Sequence, residues 1–231
     1  MGARNNPKRD KLVESARKLA AAAETRHLDP GILFGHASSD DLEAYTSEML
    51  AAASEHAAAE LDAWDGTSAR VTIAPVDAVE PGGIPVSVLS VTDRNMPFLY
   101  DSVMGEVTST HRDISIAVHP ILVKQEDGRF GAFDPERDGD KSKGVSHIQL
   151  HLSPVTTAQA GELIRRVETV LQQVHASIAD WKPMLSLLDS AMDELKAYQA
   201  GRRKADRDET LAFLEWLRRD NFTFQIGRAH V

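Results

Sequence analysis

Residues 84–107 read IPVSVLSVTDRNMPFLYDSVMGEV, and the texture of the chain changes halfway along them. Ile84 to Val91 is β-branched and apolar, the composition of a buried strand. From Met96 onward the spacing lengthens: Met96, Leu99, Tyr100, Val103 and Val107 recur every three or four residues, a single helical stripe. Pro97 falls where a first helical turn tolerates proline, and Asp93 or Asn95 is placed to cap that turn. The stretch therefore predicts a buried strand, a short polar loop and an amphipathic helix.

The same reading extends in both directions. Downstream, Ile114 to Val123 predicts a strand with Ile114, Ile116 and Val118 on one face, and Asp127-Gly128 a hairpin turn before a short strand at Phe130 to Phe133. Asp134 to Lys143 is a charged loop, Val145 to Leu152 a strand, and Pro154 to Ile178 a long helix. Pro183 breaks that helix before another running to about Tyr198. Upstream, Arg70 to Val76 alternates, with Pro75 suited to a strand end or edge. The first 65 residues read as two helices. Lys11 to Arg26 carries Leu12, Ala16, Leu19 and Ala23 on one face and stops at Asp29-Pro30-Gly31. Ser39 to Trp64, with Ser39 as N-cap, carries Leu42, Tyr45, Met49, Ala53, His56 and Leu61. The order predicts an α+β layer sandwich: N-terminal helices, helices on one face of a mostly antiparallel sheet, then C-terminal helices.

Composition narrows the function classes. The 231 residues carry 26 Lys+Arg against 35 Asp+Glu, a net charge of −9, which argues against nucleic acid as a main partner. Zero cysteines exclude a disulfide scaffold, a thiolate zinc site and a cysteine nucleophile. No apolar run approaches the roughly 20 residues of a membrane span, and Met1 to Lys11 lacks the apolar core of a signal peptide. The expected compartment is the cytoplasm, with no membrane partner.

Catalytic motifs are absent. There is no Gly-x-Gly-x-x-Gly after a strand, no phosphate loop and no His-Glu-x-x-His. His147 and His151 share a strand face but stand roughly 13 Å apart, too far for one ion, so they read as a polar sheet face at solvent or a domain interface. His119 before Pro120 and His111 at a helix end read as structural. The densest mixture of polar and apolar residues is 93–102. Backbone N–H groups at the start of its helix suit a carboxylate, or Asp93 and Asn95 merely cap while Met96, Leu99 and Tyr100 fill the core.

Val91-Thr92-Asp93-Arg94-Asn95-Met96-Pro97-Phe98-Leu99-Tyr100-Asp101-Ser102-Val103 resembles the Val-Thr-Asp-Asp-x-Met-Pro-Phe-Leu-Val-Asp-Ser-Val signature of the large bacterial NAD-specific glutamate dehydrogenases. Val118-His119-Pro120-Ile121, Ser146-His147-Ile148-Gln149-Leu150, Ile178-Ala179-Asp180-Trp181-Lys182-Pro183-Met184 and Phe213-Leu214-Glu215-Trp216-Leu217 with Asn221-Phe222-Thr223-Phe224 continue the resemblance in order. Arg94-Asn95 departs from it, since the family more often has acidic residues there.

The resemblance implies an ACT-like (ferredoxin-like) regulatory or assembly module over 67–200, preceded by a helical segment 1–66 and followed at 201–231 by a linker and the start of a second module. Arg70 to Val76 would supply the strand the module otherwise lacks. The parent reaction it implies converts L-glutamate, NAD and water to 2-oxoglutarate, ammonia and NADH, with both sites in a later domain. No catalytic, cofactor or metal residue is therefore assigned here, and the chain alone is expected to be inactive. An amino-acid effector, the remaining domains and a second copy of the chain are the expected partners. The effector would touch Asp93, Asn95, Met96, Pro97, Phe98, Leu99 and Ser102. Two other classes fit the residues: a stand-alone amino-acid-sensing module, and a structural oligomerisation domain. Ile226 to Val231 resembles a translated sequencing adapter, so the natural protein is expected to continue differently after Gln225.

Overall fold

A computed structural model of the chain describes residues 7–110, 113–140, 143–179, 181–198 and 203–221. His111, the expected strand at Phe222 to Phe224 and the tail from Gln225 lie outside them. The chain divides into two compact units, 1–171 and 172–231.

The first unit is built on a six-stranded sheet: β1 (Arg70–Pro75), β2 (Ser87–Arg94), β3 (Ile114–Val118), β4 (Ile121–Lys124), β5 (Phe130–Ala132) and β6 (Val145–Leu152). The order is β1-β2-β6-β4-β5, with β3 also on β6, and every pairing is antiparallel. β1 does supply the outer strand beside β2, and its Pro75 sits at the end of an edge strand, where a missing N–H is tolerated. β3 and β4 are one line of chain interrupted at His119-Pro120, both laid against β6. A register shift between Ile114 and Ile116 turns Ile114 to the opposite face from Ile116 and Val118, so the three do not share a face as the alternation predicts.

Both sheet faces are covered. One packs Leu89, Val91, Ile148, Leu150 and Leu152 against α4 (Leu99–Ser109) and α6 (Thr157–Ile178), through Leu99, Val103, Val107, Leu163 and Val167. Arg166 of α6 pairs with Glu106 and donates to Ser109 at 3.0 Å, tying the two helices together. Thr156 and Gln159 exchange side-chain to backbone hydrogen bonds of 3.0 and 3.3 Å, a capping box that starts α6. The other face meets α1 (Pro7–Ala22), α2 (Pro30–Leu33) and α3 (Ser47–Asp62), through Leu33, Phe34, Leu50, Ala53 and Ala57. Alanines on α3 let its backbone come close to the sheet. Helices thus lie on both sides, not one.

The N-terminal helices start elsewhere than the periodicity predicts. α1 begins at Pro7, whose missing N–H costs nothing in a first turn, and buries Val13 and Ala16 while Leu19 is 41% exposed. α3 begins at Ser47 because Thr46 caps it, accepting from the Met49 N–H at 3.3 Å. Ser38 caps a separate turn through the Asp41 N–H at 3.1 Å, so residues 39–44 run as tight turns and Ser39 is not an N-cap. In the charged loop, Asp134 starts the short helix α5 (Pro135–Asp138).

The second unit contains α7 (Trp181–Ala197) and α8 (Lys204–Trp216), followed by a π-type turn at Leu217–Asn221. Pro183 is the third residue of α7, within the turn that tolerates it. Arg218 pairs with Asp189, and Phe213 stacks on Trp216 at 6.2 Å.

Candidate functional site

The loop from β2 to α4 takes a form its residues only partly announce. β2 continues to Arg94, pairing Asp93 with Ser146 and Arg94 with Val145, so Asp93 is held in the ladder and is 1% exposed. Its carboxylate accepts from the Arg94 N–H at 2.7 Å. The Asn95 N–H donates to the Gly144 carbonyl at 2.8 Å. The residue before α4 is Phe98, left-handed at φ 68°, and no side chain caps the helix. Neither Asp93 nor Asn95 serves as N-cap, because the strand keeps both too far upstream. Leu99 is buried at 1%, Met96 half-buried, and Phe98 exposed at 38%. Of the seven residues singled out from sequence, Asn95, Met96, Pro97, Phe98 and Ser102 have surface to offer a ligand; Asp93 and Leu99 belong to the interior. The uncapped N–H groups of the first turn suit an anion, while Asp101 in that same turn opposes one.

His119, in the break between β3 and β4, packs against α4. Its Nε2 lies 2.6 Å from Ser146 Oγ and its ring stacks flat on Tyr100 at 5.0 Å. Burial lowers the His119 pKa, with Asp101 opposing; burial, then Asp101, raises that of Tyr100.

A second polar group lies on the opposite sheet face, and sequence reasoning missed its assembly. Ser90 and Thr92 of β2 stand opposite Gln149 and His147 of β6, and Thr72 of β1 opposite Ser90. The face expected at solvent or a domain boundary is instead closed by the N-terminal helices, leaving His147, Gln149 and His151 at 0% exposure. Thr92 Oγ1 meets His147 Nδ1 at 2.9 Å, and Ser90 Oγ meets His56 Nε2 of α3 at 3.2 Å. Tyr45 Oη meets His151 Nδ1 at 2.9 Å, and the Gln149 amide donates to His151 Nε2 at 3.0 Å and to the Ala53 carbonyl at 3.4 Å. Because the Gln149 NH₂ occupies Nε2, His151 is neutral with its proton on Nδ1, donated to Tyr45.

Burial pushes His151 down to about 3, with His56 adding to it. His147 is pushed to about 4 by burial, with Gln149 opposing and His56 and His119 adding. Burial also lowers His56 and, with Asp41, raises Tyr45. Thr72 Oγ1, His147 Nε2 and Gln149 Oε1 are buried without a partner among the described residues. The available signal was polar residues at every second position of both central strands. The described residues contain no group of three His, Asp or Glu placed to hold a metal ion, and no helix long and apolar enough to cross a membrane.

An open antiparallel sheet, a β2–α4 strand-to-helix loop and a second long helix on the same face define an ACT-like module. Residues 31–167, more than half the chain, match the glutamate dehydrogenase ACT1 domain, and the chain belongs to that family. It is 28% identical over 144 residues to an NAD-specific glutamate dehydrogenase of Halomonas elongata, an alignment covering 59% of this chain and 9% of that protein.

Proposed function

We propose that this chain is the N-terminal regulatory and assembly region of an NAD-dependent glutamate dehydrogenase. The family match over residues 31–167, which takes in the whole sheet, α3, α4 and the first half of α6, carries the reading. The parent protein would oxidise L-glutamate with NAD and water to 2-oxoglutarate, ammonia and NADH, using a dehydrogenase domain beyond this chain. Within the chain, residues 67–200 form the module, 1–66 its helical cover, and 201–231 the lead into the next module. The protein acts in the cytoplasm as a homo-oligomer. A small amino-acid effector places its carboxylate at the start of α4, beside Asn95 to Phe98 and Ser102.

Two experiments test this. The chain alone should neither oxidise glutamate nor bind NAD; saturable NAD binding by calorimetry would overturn the placement of catalysis elsewhere. In the complete dehydrogenase, Asn95→Ala and Ser102→Trp should alter effector response while unregulated turnover stays constant. Unchanged response in both variants would leave the loop a purely structural role.

A further inference from the structure

The two central strands carry opposite chemistry on their two faces. Toward α4 and α6, β2 and β6 turn Leu89, Val91, Ile148, Leu150 and Leu152. Toward the N-terminal layer the same strands turn Ser90, Thr92, His147, Gln149 and His151, all buried. A face that stays buried is normally apolar, whereas interfaces that open and close tolerate polar groups. Over this polar centre α3 brings Ala53 and Ala57, which bury little apolar area, and the apolar contacts of Val88, Ile116, Val118, Leu122 and Val145 lie at its margin. Closing the layer strands Thr72 Oγ1, His147 Nε2 and Gln149 Oε1 without partners among the described residues, and water would satisfy each. The ties across the seam include Tyr45 to His151, His56 to Ser90, and at the margin Glu60 to Arg70 and Arg26 to the Gly128 carbonyl, both 2.9 Å. The layer joins the sheet through one largely exposed linker, residues 63–69, with Gly66 at φ 80°. That linker is closed on itself by Asp65, which accepts from the Thr67 and Ser68 N–H groups at 2.7 and 3.0 Å.

We propose that the N-terminal layer, residues 7–62, is a reversible cover that lifts from the sheet as a unit on the linker 63–69, while the sheet stays folded against α4 and α6. Histidines on both sides of the seam tune the opening: His56 on the cover, His147 and His151 beneath it. The charged groups around them do not compensate a proton on either strand histidine. His56 and His119 face His147, and His56 faces His151, while Glu60 faces His56, Asp41 faces Tyr45 and Asp101 faces His119. The closed cover therefore holds His147 and His151 neutral, and the open one lets both take up protons in water. Each then titrates near about 6.5, so each multiplies the open population about tenfold between about pH 7.5 and about pH 5.5. The pair gives about a hundredfold.

The chain has no cysteine, so one introduced thiol reports on one face. Ser90→Cys lies under the cover, and its neighbour Val91→Cys lies under α4 and α6. The full chain is labelled with a dipyridyl disulfide, and each rate is divided by that of a free thiol at the same pH. At about pH 7.5, Ser90→Cys should label about tenfold faster than Val91→Cys, or more. Its rate should rise about a hundredfold by about pH 5.5, and in a His147→Leu/His151→Leu background that rise should fall to about tenfold or less. Ala53→Cys, on the cover itself, should follow Ser90→Cys and carries the test if the strand variant fails to fold. Equal labelling of the thiols on the two faces would mean that the polar face opens only on global unfolding, which overturns the cover. Faster labelling under the cover with no dependence on pH overturns its control by the histidines.

Discussion

Acidification should loosen the seam between the N-terminal helices and the sheet, and the size of the effect follows from His147 and His151. Both are 0% exposed and neutral in the fold, with pKa values pushed down to about 4 and about 3. In the unfolded chain each titrates near the ordinary histidine value of about 6.5. Between that value and the folded ones the unfolded state binds more protons, so unfolding free energy rises with pH and falls on acidification. Stability is fully present above about pH 6.5 and is lost progressively down to about pH 4 for His147 and about pH 3 for His151. From about pH 7 to about pH 5 each histidine removes about 2 kcal/mol, and the pair about 4 kcal/mol. That figure depends almost wholly on the unfolded value, since both folded groups are still mostly neutral at about pH 5. Urea unfolding at the two pH values measures it. The His147→Leu/His151→Leu variant leaves Thr92 and Tyr45 without their partners and is less stable at neutral pH. Its further loss on acidification should nevertheless be about 4 kcal/mol smaller than that of the parent chain. Equal acid losses in the two proteins would refute the burial argument.

Thr46→Ala removes the side chain that caps α3 and should cost about 0.5–2 kcal/mol in urea unfolding. Leu150→Ala opens a cavity against α4 and α6 and should cost about 2–5 kcal/mol by the same measurement, with circular dichroism checking that the sheet persists. Phe98 sits at φ 68°, so a β-branched Phe98→Val should destabilise by about 1–3 kcal/mol. Phe98→Gly should lose much less, and equal losses would show that the ring, not the backbone, sets the cost.

The strand–loop–helix of residues 84–107 was legible in the sequence because its cues are local. β-branched residues favour the pleated backbone, and a stripe at three and four residues favours a helix, whatever lies elsewhere. β6 was readable to the residue, Val145–Leu152, for the same reason. The module's missing strand could also be assigned to residues 70–76, since an alternating segment with a terminal proline suits an edge. Helix starts were less legible: Ser38, Ser39 and Thr46 all have capping chemistry, and only the packed backbone selects Thr46. Strand faces were lost where the register shift at Ile114 and Ile116 inverted an alternation that periodicity treats as unbroken.

The second sheet face is where tertiary structure decided most. His147, Gln149 and His151 in a strand read equally well as solvated or buried, because alternation specifies that they share a face and not what covers it. The answer came from an alanine-rich helix about 90 residues upstream and from Tyr45, 106 positions from His151. Local residue patterns specified the strands and the long helices, and the order of motifs matched one family's pattern. Only the packing of distant elements decided which polar groups are dehydrated, since that depends on what closes over a face.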